Sequence, residues 1–312
     1  MAEAKLSGGI RLFKIFGITV FLHWSWFIIA AYDLRSRFSL LHNPYQWQGF
    51  HVLEYLAVFV IILLHEFGHA LACRSVGGSA DRIMLWPLGG VAFVRPPQRP
   101  GAVLWSIAAG PLVNVALIPV TFGAMYLLNA LPNLPADLRT FVLSVTRLNL
   151  LLLAFNMLPI YPLDGGQILQ SLLWFVMGRI WSLRVAAVIG VIGAAAVAVL
   201  GYLSGNDWLI VMAVFGIWQC VNGIRYAASL GKLAKMPRHA AYRCPACGTA
   251  PLQGNFWRCA CGEPLDLFAA NFSCPACGRT FSSAQCVECG KPAPADSWKL
   301  ADQAAKGGNV AI

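Results

Sequence analysis

The sequence predicts an α-helical polytopic membrane protein of about six transmembrane helices with a membrane-associated β-hairpin, plus a small cysteine-rich C-terminal domain. The first observation is composition: 58% of the 312 residues are hydrophobic and 12% are charged, with mean hydropathy +0.64, whereas soluble domains carry about 25% charge. The second is the recurrence of apolar runs of about 20 residues, the length that crosses a bilayer. The third is that eight of the ten cysteines follow residue 243, a local metal-site pattern rather than a dispersed disulfide framework. The net charge of +10 invites a nucleic-acid reading. However, Lys and Arg gather at the ends of apolar segments, which is how membrane topology is encoded.

Residues 1–12 form a short basic lead with no signal-peptide cleavage pattern. Phe13–Tyr32 is long enough to span, with His23 inside it as a helix-packing group rather than a ligand. Asp33–His51 is a polar connector, and Val52–Cys73 is the second span. Ser75–Pro100 is too broken by Gly and Pro to span; Arg82–Trp86 and Val91–Arg95 read as two short strands around Gly89-Gly90. Ala102–Leu128 is the third span, and Asn129–Asp137, with its prolines, is a loop. Leu138–Ile160 is the fourth segment, running into Tyr161-Pro162-Leu163-Asp164-Gly165-Gly166, which must break the helix before Gln167–Met177 resumes it. Leu183–Leu203 and Trp208–Arg225 are the fifth and sixth spans. The basic residues favour a cytoplasmic N-terminus, with Lys5, Arg11, Lys14, Arg74, Arg82, Arg95, Arg99, Arg179, Arg184, Arg225, Lys232, Lys235 and Arg238 on the inner side and Arg35, Arg37 and Arg139 outside. Both termini are thus expected in the cytosol of a cell (inner) membrane protein. Arg147 fits neither side.

The second span carries the chemistry. The seven residues Val58–Leu64 contain no polar group and lead into His65-Glu66-Phe67-Gly68-His69. On a helix, His65 and His69 project from one face, the spacing at which two imidazoles hold one zinc ion. Glu66 is then placed as general base toward the attacking water. Ionisable groups at membrane depth are costly and mark function by default. A catalytic zinc takes three protein ligands, and Asp164 is the best third one. The second and fourth segments both run from outside to inside, so His65, about 20 Å down from Val52, and Asp164 arrive at similar depth toward the cytosolic face. The competing role for Asp164 is a helix N-cap.

The HEFGH run inside a span, followed 95 residues after His69 by Asp164 in a run from Asn156 through Pro159 and Pro162 to Leu163-Asp164-Gly165-Gly166, resembles the site-2 protease family of intramembrane zinc metalloproteases. The resemblance covers residues 10–225 and extends to Gly110-Pro111 with Asn114, Asn149 before Asn156, Gly89-Gly90 and the run His23–Trp26. It implies a zinc endopeptidase that cuts transmembrane segments of other proteins in or near the bilayer, with His65, His69 and Asp164 on zinc and Glu66 catalytic. Asn156 is expected at the active site; interhelical bonding is the expected role of Asn114 and Asn149. The hairpin at Gly89-Gly90 could offer a strand edge to an unwound substrate.

The tail contains Cys244-x-x-Cys247-Gly, Cys259-x-Cys261-Gly, Cys274-x-x-Cys277-Gly and Cys286-x-x-Cys289-Gly. Such knuckles make two four-thiolate structural zinc sites. Sequential pairing would join Cys244, Cys247, Cys259 and Cys261, then Cys274, Cys277, Cys286 and Cys289, with an interleaved pairing left open by the short second knuckle. The expected layout is a protease domain over 1–230, a linker over 231–242, tandem ribbons over 243–291 and a disordered tail over 292–312. The ribbons suit a protein partner better than nucleic acid. Two further readings are a non-enzymatic membrane zinc protein, such as a transporter or inactive scaffold, and a bundle that merely anchors the ribbons. The clustering of ionisable groups at one depth and the presence of Glu66 argue for the peptidase.

Overall fold

The computed structural model describes residues 8–28, 30–31, 45–86, 89–131 and 134–299. The chain divides into two compact units, Met1–Ala227 and Ala228–Ile312.

In the first unit, strands β1 (Gly9–Ile15) and β2 (Ile18–His23) form an antiparallel hairpin. Helix α1 (Gly49–Ser75) follows, then strands β3 (Ser79–Trp86) and β4 (Gly89–Arg95). The four strands make one sheet in the order β1-β2-β3-β4, with β2 and β3 parallel. Helices α2 (Pro100–Ala130), α3 (Ala136–Asn156), α4 (Asp164–Ser204) and α5 (Asp207–Ala234) follow. Among the described residues, five helices are long and apolar enough to cross a membrane. This is a largely helical multi-pass architecture.

The expected first span is corrected. Phe13–His23 is not helical: Phe16 (φ 49°) and Gly17 (φ 74°) turn the chain back on itself, and β-branched Ile18, Thr19 and Val20 suit the strand that follows. Helix begins only at residues 25–28, and residues 32–44, where the rest of that span and most of its connector were expected, lie outside the described residues. The sheet packs along α1. Ile18, Val20, Leu22, Ile83 and Leu85 meet Ile62, Ala70 and Cys73 in one buried cluster. Arg74 at the end of α1 ties down the β1–β2 turn through the carbonyls of Phe16 and Gly17. His23, expected to pack between helices, instead ends β2, where it stacks on Trp86 of β3 at 3.9 Å and bonds Ser25 at 2.6 Å. Arg147 is exposed.

Small residues let the helices approach closely. A Cβ on Gly68 would stand 2.7 Å from the Ala109 carbonyl oxygen, so α1 and α2 cross there almost backbone to backbone. Gly165 and Gly166 are helical rather than turning: their missing Cβ atoms make room for the Leu158 carbonyl (2.6 Å) and the Tyr161 amide (2.6 Å) of the α3–α4 loop. The break in α4 falls at Gly178 (φ 74°, ψ 169°).

The second unit is built on cysteine knuckles. In each of three, the glycine is left-handed (φ 71°, 71° and 69° at Gly248, Gly278 and Gly290), and its N–H donates to the carbonyl of the first cysteine at 2.8, 2.9 and 2.9 Å. The shortened Cys259–Gly262 turn keeps the same bond, Gly262 N–H to Cys259 O at 2.9 Å. Phe268 fills the centre of an aromatic core with Tyr242, Trp257, Phe272 and Trp298 at ring separations of 4.8–5.2 Å. Two expectations fail here. The segment 292–299 is ordered: β8 (Pro292–Pro294) pairs with β7 (Ser283–Gln285), and Trp298 is fully buried. The last part of the linker is also built in, since Arg238 bonds the Ala250 carbonyl at 2.7 Å and Glu288 at 2.7 Å, and the His239 ring pairs with Asp266 at 2.9 Å. Burial pushes the Asp266 carboxyl up, but the Gly254 N–H and the His239 ring outweigh it and hold it below its usual range.

Candidate active site

Helix α1 brings His65, Glu66 and His69 into the protein interior, each at most 6% exposed. Asp164 is 8% exposed. It is the first residue of α4, with Leu163 in the N-cap position, so its carboxylate is not spent on capping. Two distant stretches meet here: His65 Nε2 lies 3.0 Å from Asp164 Oδ2, His69 Nε2 lies 3.4 Å from the same oxygen, and the two Nε2 atoms are 3.1 Å apart.

The other face of each ring is held. His69 Nδ1 donates to the Ser106 carbonyl at 2.9 Å, and His65 Nδ1 lies 2.6 Å from Asn114 Oδ1. With the ring protons on Nδ1, both Nε2 lone pairs and a carboxylate oxygen point at one another with no hydrogen between them. Asp164 Oδ2 is a buried oxygen with no hydrogen-bond donor. Three facing acceptors repel one another unless a cation sits among them. Donors about 2.0–2.2 Å from a tetrahedral zinc stand roughly 3.3 Å apart, close to the observed triangle. The void is kept open by Gly110 of α2: a Cβ there would fall 2.8 Å from His65 Nε2 and closer still to His69 Nε2. The donor set therefore fits a zinc ion.

Glu66 faces the strand side. An oxygen of its carboxylate lies within 4.8 Å of a ring nitrogen of each histidine, and Oε2 accepts from the Ala92 N–H of β4 at 2.7 Å. Gly90 leaves space for this carboxylate, since a Cβ there would be 2.6 Å from Glu66 Oε1. Gly89, its neighbour, has φ 143° and nothing within 4 Å of its Cβ position. β4 is an edge strand of the sheet. Asn156, at the end of α3, brings Nδ2 to 3.5 Å from His65 Nε2. Asn149 sits one relay further out, accepting from Asn114 Nδ2 at 2.8 Å. The motif readings thus converge in space. The Ser106 carbonyl and the Ala92 amide carry no side-chain signal, and the Gly110 requirement was visible only as an unexplained Gly-Pro inside a span.

The eight tail cysteines form two groups, but not in sequential pairs. Cys244, Cys247, Cys286 and Cys289 cluster together, and Cys259, Cys261, Cys274 and Cys277 form the other group. The sequential pairing is therefore corrected to a nested one. The short β5–β6 hairpin (Trp257–Arg258 with Pro264–Leu265) carries the Cys259–Gly262 knuckle at its turn. Sulfurs from different knuckles approach to 3.6–3.8 Å. One thiol in each group is held down to about 7: Cys247, against its burial, by the Thr249 hydroxyl and amide, and Cys259 by the Cys261 amide. In the same groups Cys286, by burial, and Cys261, against the Glu263 amide, by the neighbouring thiols, are pushed up to about 12. Cys73 and Cys220 are buried outside these groups.

A sequence profile of Peptidase family M50 matches residues 54–134 and 131–200. Zinc metalloprotease MJ0392 of Methanocaldococcus jannaschii is 34% identical over 210 residues, which is 66% of this chain and 58% of that protein. Stage IV sporulation protein FB of Bacillus subtilis is 35% identical over 126 residues, covering 38% of this chain and 40% of that one. The chain thus spans little more than half the length of the first of these curated relatives and less of the second. A solved structure, the site-2 protease from Methanocaldococcus jannaschii, superposes with a TM-score of 0.50 at 30% identity, over 69% of this chain and 95% of that one. Two matching profile segments that include the HExxH helix and Asp164, and near-complete coverage of a solved site-2 protease, establish that this chain belongs to the site-2 protease family, Peptidase family M50.

Proposed function

We propose that the protein is an intramembrane zinc endopeptidase that hydrolyses peptide bonds within or near the transmembrane segments of other membrane proteins. The observation that carries this reading is the triangle of His65 Nε2, His69 Nε2 and Asp164 Oδ2 at 3.0–3.4 Å, with Glu66 beside it. His65, His69 and Asp164 would hold the zinc. When bound, zinc polarises the scissile carbonyl and acidifies the attacking water toward a pKa of about 7. Glu66 takes the proton from that water and delivers it to the leaving amine. The Ala92 N–H holds the carboxylate in place for both transfers. A helical substrate must unwind before its carbonyls are accessible, and the β4 edge at Gly89 and Gly90 gives the unwound stretch a strand to pair with. Asn156 holds the substrate backbone next to His65.

In the tail, the two nested four-cysteine groups hold structural zinc as zinc ribbons, with a protein partner, rather than nucleic acid, as the surface they serve. The distribution of Lys and Arg supports both termini lying in the cytoplasm, in the cell (inner) membrane, an arrangement that needs one crossing more than the five apolar helices supply. The direct test is co-expression of the full chain with candidate single-span membrane proteins, comparing wild type with Glu66→Gln. A product band that vanishes only in the variant supports the reading. Identical products from both overturn it.

A further inference from the structure

The two imidazoles of the site owe their proton positions to different devices. His69 Nδ1 donates straight to the Ser106 backbone carbonyl, which can only accept. His65 Nδ1 instead meets the side-chain amide of Asn114. An amide is ambiguous: turned one way it offers oxygen, turned the other way it offers N–H. If Asn114 presented its NH2 group to His65, the ring would carry its proton on Nε2, and the lone pair that faces Asp164 would be lost.

The ambiguity is removed one step further out. Asn149 Nδ2 donates to the backbone carbonyl of Asn114 at 2.9 Å, and that carbonyl cannot donate in return. The nitrogen end of Asn149 is therefore fixed, so its oxygen end must be the one that faces Asn114 Nδ2, at 2.8 Å. That contact in turn fixes Asn114 Oδ1 toward His65. Asn114 and Asn149 are both fully buried, so no water substitutes for either partner. We propose that Asn149 is a positioning residue: through the Asn114 amide it sets the tautomer of His65 and leaves Nε2 free to bind metal. The inference rests on the zinc reading of the site.

The test uses the purified full-length chain, dialysed against a chelator of moderate strength, with retained zinc measured by elemental analysis. In wild type, zinc is retained at the histidine site in addition to the cysteine-bound zinc. Asn149→Leu, which keeps the branched outline but can neither donate nor accept, leaves Asn114 free to turn over. The dissociation constant for the histidine-site zinc is expected to rise about 10–100-fold, the usual cost of losing an outer-shell partner, so that one equivalent is lost while the cysteine-bound zinc stays. Adding Asn114→Asp to Asn149→Leu restores an obligate acceptor facing His65, because both carboxylate oxygens accept, and zinc retention is expected to recover. If Asn149 were only packing, the double variant would bind no better than the single one. Unchanged retention in Asn149→Leu, or no recovery in the double variant, overturns the proposal. Absence of histidine-site zinc in wild type overturns the zinc reading itself.

Discussion

Replacing Gly110 by alanine puts one methyl group into the space where three donors converge. The new carbon would stand 2.8 Å from His65 Nε2, about 0.6 Å short of the 3.4 Å at which ordinary contact begins, and the clash with His69 Nε2 is worse. Neither ring can yield freely, because His65 is bonded to Asn114 and His69 to the Ser106 carbonyl. Metal–ligand distances tolerate only about ±0.2 Å, so the required shift exceeds what a zinc site accepts. Overpacking of this kind costs about 1–3 kcal/mol in a helical core, a strain that a membrane bundle survives. Misplacing reacting groups by this much lowers activity about 100-fold or more. The assay pairs cleavage of a co-expressed substrate with the amount of chain in the membrane fraction, using Gly123→Ala on the same helix as control, where a Cβ meets nothing within 4 Å. Full cleavage by Gly110→Ala at normal zinc content would refute the placement of the metal between His65, His69 and Asp164.

Three further outcomes follow from the geometry. Gly90→Val crowds the Glu66 carboxylate, for which a Cβ at 2.6 Å from Oε1 leaves no room; cleavage should fall at least about tenfold with zinc retention unchanged, since no zinc donor is touched. Replacing Cys286 and Cys289 together by serine should expose Cys244 and Cys247 to alkylation while Cys259 and Cys261 stay protected, as read by peptide mass mapping; the reverse pattern would contradict the nested grouping. Trp298→Ala should destabilise the second unit by about 3–5 kcal/mol, the range for a buried aromatic, with new protease cleavage between 240 and 299; unchanged protease resistance would show that the buried Trp298 contributes little.

The convergence of the candidate site was legible because its residues are side chains at diagnostic spacings. His65, Glu66 and His69 declared themselves within five residues, and Asp164 stood out as a carboxylate beside an apolar run. The N-terminal hairpin was not legible in the same way. Phe13–Tyr32 has the length and apolarity of a span, and only the Phe16-Gly17 turn and the run of β-branched residues argued for strands. A sheet that packs against a membrane helix needs apolar residues on most of its surface, so the polar alternation that usually marks a strand is missing. The grouping of the cysteines was hidden for another reason: spacing fixes which thiols share a knuckle, but which knuckles share an ion depends on how the intervening chain folds. The ordered segment 292–299 was read as disordered because its proline-rich, polar sequence conceals a single aromatic anchor, Trp298.

The bracketed order of the cysteine groups has a consequence for biosynthesis. As the chain leaves the ribosome, the inner quartet is complete once Cys277 has emerged, while the outer one must await Cys289. Were the inner group to bind zinc first, as proposed, the knuckles would be drawn together and the loop left for the outer group to close would be shorter, which lowers its entropic cost. On the proposed zinc reading, the unit would assemble from the inside outward, and a chain that stops before Cys289 would have only the inner group with all four thiols.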